Sequence, residues 1–293
     1  MNFCFHLFEG TQVQFPIYVS GLADYPNKIV VFGIPMFATS GWSAQKLNHV
    51  ASIMAELLDQ DEDGCADDQR VLNALTTVEN NLRNSVILPT DIDDDDNLAY
   101  ARIEAAGYYE GQRLGETETK PECTGIHFTH DCSDASIEEL FHFITTLGHA
   151  TTYPTVFGTS LADNSMLTKA MDIARGGHFK NIPNKYPNFA WYTYDDKTCD
   201  YGCQAAEYIW WGYCAFSGVC GGRSGSRSYE NEFKYLAKSQ FISRDLKLSK
   251  LFQDSGSFYK LPTKPVDGKY HGLQTCPGYS NHGGYSAFAN VGK

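Results

Sequence analysis

Two patterns of apolar and polar positions alternate along this chain. Between residues 11 and 40 the period is two, as in Val13, Phe15, Ile17 and Val19, followed by the run Ile29-Val30-Val31-Phe32. That is the period of half-buried strands, and it predicts a small N-terminal sheet. From Ser43 to Leu58 the period lengthens. Leu47, Val50, Met54, Leu57 and Leu58 recur at helical spacing and predict an amphipathic helix. Val71, Leu72, Leu75 and Val78 predict a second helix, and Val86-Ile87-Leu88 before Pro89 a further strand. Residues 98–106 are weakly helical.

Ser133, Asp134 or Ser136 can cap a helix over 137–147, and Gly148 is placed to end it. Helices are also predicted over 164–174, closed by Gly176-Gly177, over 203–216, closed near Gly218, and over 230–252 as one helix or a pair. Residues 189–194 are aromatic and β-prone. Residues 221–228 form a Gly/Ser/Arg loop, and the stretch after Leu261 is rich in Pro, Gly and Tyr and reads as irregular. No repeat or long linker divides the chain. The expectation is one domain over 1–293 of α+β class, mainly helical with a small N-terminal sheet. Its parts are strands and a helix pair in 1–90, a helical region in 120–255 and an irregular tail in 261–293.

Composition narrows the function classes. A hydrophobic content of 42% with 14% aromatics can fill a core. The net charge of -12 disfavours nucleic acid and anionic membranes and suits cations or basic substrates. No apolar run reaches the ~18 residues needed to cross a bilayer, so no membrane insertion is expected. The nine cysteines include no CxxC pair, which disfavours a zinc ribbon and favours disulfides in an oxidising compartment. Cys123–Cys132, Cys199–Cys203 and Cys214–Cys220 are the local pairings to expect, though spacing leaves other connectivities open. An odd count implies a free thiol or an intermolecular link. A secreted or extracellular protein is expected, although Met1 to Phe8 lacks the basic and long apolar stretches of a signal peptide.

The segment Asp59-x-Asp61-x-Asp63-Gly64 sets three carboxylates at alternate positions before a glycine that permits a tight turn. Calcium takes about six to eight oxygens, and Cys65 (through its carbonyl) and Asp67 are the next candidates after Asp59, Asp61 and Asp63. With a helix on each side, the segment resembles an EF-hand. It departs at the twelfth position, where Arg70 replaces the bidentate glutamate and Asp68 is the nearest substitute. The departure points to a structural calcium clamp, similar to dockerin-type or thrombospondin-type loops, rather than a switch. Asp91 to Asp96 is also acidic but has no glycine, and a repelling surface loop is expected there.

The segment Ile137-Glu138-Glu139-Leu140-Phe141-His142-Phe143-Ile144 sets Glu138 and His142 four apart, on one face of a helix that is otherwise apolar. Ionisable groups on such a helix are costly to bury unless paired or bound to a metal. The pattern resembles the HExxH helix of the zincin metallopeptidases, with Glu138 in place of the first histidine. The gluzincins take a third ligand from a later helix, and Glu207 in Ala205-Ala206-Glu207-Tyr208 matches that position. The resemblance implies a zinc site of Glu138, His142 and Glu207, with Glu139 as general base acting on water. His149, further along the helix, and His127 and His130 upstream are additional candidates for oxyanion or metal.

The stretch from Tyr194 to Trp211, YDDxTCDYxCxxxEYxxW, leads into the Glu207 helix. Asp195, Asp196 or Asp200 is placed to orient His142, and Tyr208 to line the substrate cleft. Together with the LDxDxDG loop and the EExxH helix, this arrangement is similar to a family of uncharacterised exported proteins. No GxSxG, Walker or GxGxxG motif occurs. The leading expectation is therefore a zinc-dependent, peptidase-like hydrolase with a structural calcium site and a peptide or small-molecule substrate. The alternatives are a non-catalytic, calcium-stabilised secreted protein with a degenerate zincin helix, and an oxidoreductase with a His/carboxylate metal.

Overall fold

The computed structural model describes residues 12, 14, 15, 17, 18, 22–91, 97–125, 132–162, 164–220 and 232–272. It is a mixed α/β fold, mainly helical, with one six-stranded sheet. Strands β1 (Ile17–Tyr18), β2 (Asn27–Val31) and β3 (Ile34–Ala38) form an antiparallel set. The β2–β3 hairpin turns at Phe32 and Gly33, both with positive φ, 48° and 84°. Such two-residue turns match the right-handed twist of the flanking strands. The apolar run therefore breaks one residue earlier than its composition suggests, and the Phe32 ring is buried while its backbone turns.

Beyond β3 the chain crosses over through α1 (Ala44–Leu58) and α2 (Gln69–Thr76) and returns in β4 (Val78–Glu79) and β5 (Leu82–Leu88). Val78 thus starts a strand rather than continuing the second helix, and Asn80 and Asn81 make the hairpin turn with φ of 51° and 64°. Strand β5 pairs with β3 in parallel, as a helical crossover allows. A second crossover, α3 (Asn97–Ala105), leads to β6 (Tyr108–Arg113), also parallel to β5. The alternation rule overlooks β6, because Tyr-Tyr-Glu-Gly-Gln-Arg has no apolar period. The sheet is thus not confined to residues 1–90.

The helical part is built around α8 (Tyr201–Ser217), capped by Asp200 and closed by Gly218 at φ 81°. Its Tyr208, Trp210, Trp211 and Tyr213 are fully buried or nearly so. Packed on it are α4 (Ala135–Phe143), α7 (Met166–Arg175), α9 (Lys238–Arg244) and α10 (Leu246–Gln253). The short helices α5 (Ala150–Thr152) and α6 (Pro154–Phe157) fill the turn after α4. One hydrophobic cluster runs from Phe15 through α1, α4 and α8 to Tyr270, which makes the described chain a single unit.

Three expectations are corrected. Gly148 does not end its helix. Residues Ile144–His149 form a π turn that passes into α5. Gly148 is needed instead for close packing, since a Cβ there would sit 2.7 Å from Val71 Cγ1. Residues 189–194 form no strand; only Tyr192 makes an isolated bridge, to Phe233. The last helical region is the expected pair, two short helices joined at Asp245, but it starts at Lys238 rather than at 230. Residues 221–228, like His127, His130 and most of the Asp91–Asp96 run, lie outside the described residues. Beyond Leu261 the described tail has no regular structure, yet it is tied to α1. Glu56 accepts hydrogen bonds from the backbone of Asp267, Gly268 and Lys269, and Gln60 from that of Thr263 and Lys264.

All three local disulfides form: Cys123–Cys132, Cys199–Cys203 and Cys214–Cys220. Cys65 is disulfide-bonded as well.

Candidate metal centres

Helix α4 begins at Asp134, whose fully buried carboxylate is the most heavily bonded group at this end of the fold. Oδ1 accepts from the Ser136 backbone and hydroxyl and from the Lys120 backbone. Oδ2 meets His49 Nε2 at 2.6 Å and the Thr124 hydroxyl at 2.9 Å. These bonds tie the start of α4 to α1. One face of α4 then buries Ile137, Leu140, Phe141 and Ile144. Phe141 stacks on Tyr213 of α8 with ring centroids 4.7 Å apart. Where the two helices meet, His142 lies opposite Glu207.

Glu138, His142 and Glu207 each direct a ligand-type atom to a common point, all within 4.8 Å of one another. His142 Nε2 is 3.6 Å from Glu207 Oε1 and 3.9 Å from Glu138 Oε1, ion-pair distances rather than hydrogen bonds. Among the described residues neither ring nitrogen of this buried histidine has a hydrogen-bond partner. Two adjacent ligands about 2.0–2.2 Å from a tetrahedral ion lie roughly 3.4 Å apart. The spacing therefore fits a small divalent cation with little movement, and the donor set of one imidazole and two carboxylates suits zinc or another first-row ion.

The electrostatics are those of charges crowded in a poorly hydrated place. Burial opposes protonation of His142, but Glu138, Glu207 and Glu139 outweigh it and raise the imidazole to about 9. Burial raises Glu207 to about 7, against the pull of His142 and with the repulsion of Glu138. Glu139 is pushed up to about 8, first by burial, with His142 opposing and the neighbouring glutamates adding. It does not join the converging group. The Gln112 side-chain amide on β6 donates to its Oε2, which turns it toward the sheet.

The remaining residues expected at this centre are elsewhere. In a regular helix seven residues is about two turns, which would stack His149 near the face of His142. The π turn rotates it away. Its Nε2–H donates to the Lys260 carbonyl at 2.7 Å, its other nitrogen faces the Ile144 carbonyl, and burial holds its pKa below the usual imidazole value. Tyr208 points into the core and donates to Asp245 at 2.6 Å. Asp196 is exposed and binds the backbone and hydroxyl of Thr198, while Asp200 caps α8, so neither orients His142. Asp195 makes no hydrogen bond to His142 and lies at the lip of a neighbouring cavity.

Two residues not among those expected at the centre complete the surroundings. Tyr194 lies beside Glu207, and each shifts the titration of the other. Glu232, after the 221–228 loop, is raised to about 7 by burial, then by Glu207, Glu138 and Asp195. Glu232 has no local sequence signal, and Tyr194 opens the stretch that leads into α8 without a role assigned to it there; both are brought here by the packing of separate segments.

The second group is Asp59, Asp61 and Asp63. Asp59 closes α1 and is fully buried. Its carboxylate accepts from the backbone of Asp63 and Gly64, at 3.2 and 2.8 Å, and from the Tyr270 hydroxyl at 2.5 Å. Gly64 has φ 87°, so its missing Cβ is required by the turn. Asp67 is not part of this group, because its Oδ2 accepts from the Gln60 backbone at 2.8 Å. Asp68 does not supply a twelfth-position ligand. It caps α2 and accepts from the Tyr153 hydroxyl at 2.6 Å and the Lys260 backbone.

No family model, curated protein or solved structure matches this chain. What fold and sites define is a mixed α/β, disulfide-bonded protein with two groups of side chains able to hold metal ions. No described helix is long and apolar enough to cross a membrane.

Proposed function

We propose that this protein is a metal-dependent hydrolase of zinc type, acting on peptide or amide bonds, with calcium as a structural ion at Asp59, Asp61 and Asp63. The observation that carries the reading is His142. A buried imidazole with both nitrogens unpartnered, 3.6 and 3.9 Å from two carboxylates, is costly as an isolated group and favourable as a ligand set. A divalent ion held by Glu138, His142 and Glu207 would supply Lewis acidity toward a carbonyl group and a water molecule. Glu139 is the group able to hold a proton beside it. Its carboxyl is largely buried and next in sequence to the ligand Glu138, and Gln112 limits its orientation.

The attachment of Glu139 to Gln112 also supports a second reading, a metal-binding extracellular protein without catalysis, since a base turned to the sheet is remote from a substrate. Two measurements test these readings, and the second separates them. Metal analysis of the purified protein gives zinc near one per chain for either reading, and calcium alone if the cluster binds no ion. Peptide-library cleavage by wild type and Glu139→Gln then tests the hydrolase, which predicts a loss of about 100-fold or more. Equal cleavage by the two proteins removes Glu139 as base, and no cleavage by zinc-loaded wild type removes the hydrolase.

A further inference from the structure

A cavity of about 370 Å³ opens beside the Glu138–His142–Glu207 centre, with Ile182, Tyr186, Tyr194, Asp195, Lys197 and Glu232 on its walls. Tyr194 joins the two places: it lines the cavity, and it lies close enough to Glu207 for that carboxylate to raise the phenol's pKa. Two aromatic rings and two carboxylates therefore face one space. The Tyr186 hydroxyl accepts from the Tyr194 backbone at 3.3 Å, and Tyr186 packs edge-on against Phe179 at 5.7 Å, so the aromatic wall is held from behind.

Among the described residues the two carboxylates in this space are not ion-paired: no cation pairs with Asp195 or Glu232. Lys197, the one lysine on the wall, is drawn to the carbonyls of Ile182 and Pro183 at 3.5 and 3.3 Å. Glu232 also feels the repulsion of Glu207 and Glu138. A lining that combines two tyrosine rings with two carboxylates favours a long alkyl chain ending in a positive charge, through burial, cation–π attraction and charge-assisted hydrogen bonds. An anionic or purely aliphatic group gains less or is repelled. A second, independent observation marks the adjoining centre as one that receives a ligand: among the described residues His142, more than nine-tenths buried, has no hydrogen-bond partner for either ring nitrogen.

We propose that this cavity is a specificity subsite for a cationic side chain, lysine or arginine, of a peptide. The subsite function rests on the hydrolase reading above, but binding of the cation does not, and the test is built on that difference. The full-length protein is titrated calorimetrically with blocked lysine, arginine and norleucine amides, with and without zinc. The same titrations are made on an Asp195→Asn/Glu232→Gln double variant, and zinc affinity is measured in both proteins. We expect lysine and arginine to bind at least about tenfold more tightly than norleucine, and the preference to weaken with added salt. In the double variant the preference is lost while zinc affinity is retained. Equal binding of lysine and norleucine by wild type, or a preference that survives in the variant, overturns the proposal. If the lysine preference is present but no peptide is cut, the binding site stands and the hydrolase reading fails.

Discussion

His142 Nε2 lies 3.6 Å from Glu207 Oε1, across the contact between two helices far apart in the chain. Among the described residues neither ring nitrogen has a hydrogen-bond partner, and the helices that carry the pair meet through the packing of Phe141 on Tyr213. Two carboxylates and an imidazole kept apart by this amount repel or attract through the space a cation would fill.

That relationship predicts the behaviour of Glu207→Gln. Outer partners of metal ligands typically contribute about 10–100-fold in affinity, and a direct ligand contributes at least as much. Zinc affinity, measured by competition with a chromogenic chelator, should fall by more than about 10-fold. The circular dichroism spectrum should not change, since glutamine matches glutamate in size and removes only the charge. Unaltered zinc affinity would remove Glu207 from the centre.

At the acidic loop, calcium should raise the unfolding temperature, because it binds carboxylates that converge only in the folded chain. At a calcium concentration about 100 times the dissociation constant the gain is about 2.7 kcal/mol. Asp61→Asn with Asp63→Asn should abolish the shift without unfolding the protein, as both positions are exposed. Terbium in place of calcium should be sensitised by Tyr270, whose hydroxyl is 2.5 Å from Asp59, and Tyr270→Phe should dim the emission. A thermal shift that persists in the double variant would place calcium elsewhere.

Asp134 predicts a pH dependence. Burial raises its pKa, but the hydrogen bond and charge of His49, then Ser136 and Thr124, bring it below the ordinary value of 3.8. The sign follows: its contribution is fully present above pH 3.8 and is lost as pH falls through the lower folded-state value. Asp134→Asn should cost about 3–5 kcal/mol near neutrality, since it breaks a buried pair and the cap of α4. In urea denaturation the gap between wild type and variant should close on acidification below 3.8. A gap of constant size would show that the carboxylate charge contributes nothing.

Gly148→Ala tests the packing of the π turn on α2. Alanine would add up to about 1 kcal/mol of helix propensity. Its Cβ, however, would approach Val71 Cγ1 to 2.7 Å and Leu75 Cγ to 3.2 Å, and overpacking costs about 1–3 kcal/mol. A net destabilisation is expected, with a coupling of more than about 0.5 kcal/mol to Val71→Ala in a double-mutant cycle. Additive effects would mean that the two side chains do not meet.

The sequence by itself determined what depends on near neighbours. Helical spacing marked α1, α2, α4, α7 and α8, and Asp134, Asp200, Gly176 and Gly218 stand at helix ends where their chemistry is needed. The three short disulfides and the turn geometry of Asp59 to Gly64 are local in the same sense. Only the tertiary structure decided what depends on separate segments meeting. It turned Tyr208 to Asp245, Asp68 to Tyr153 and Glu139 to Gln112, and it brought Glu232 and Tyr194 beside Glu207. Periodicity states which face of a helix is buried, but not which buried polar atom will find which partner. That choice is made by the packing of whole elements, since a polar group removed from water must bond to whatever the fold places within reach.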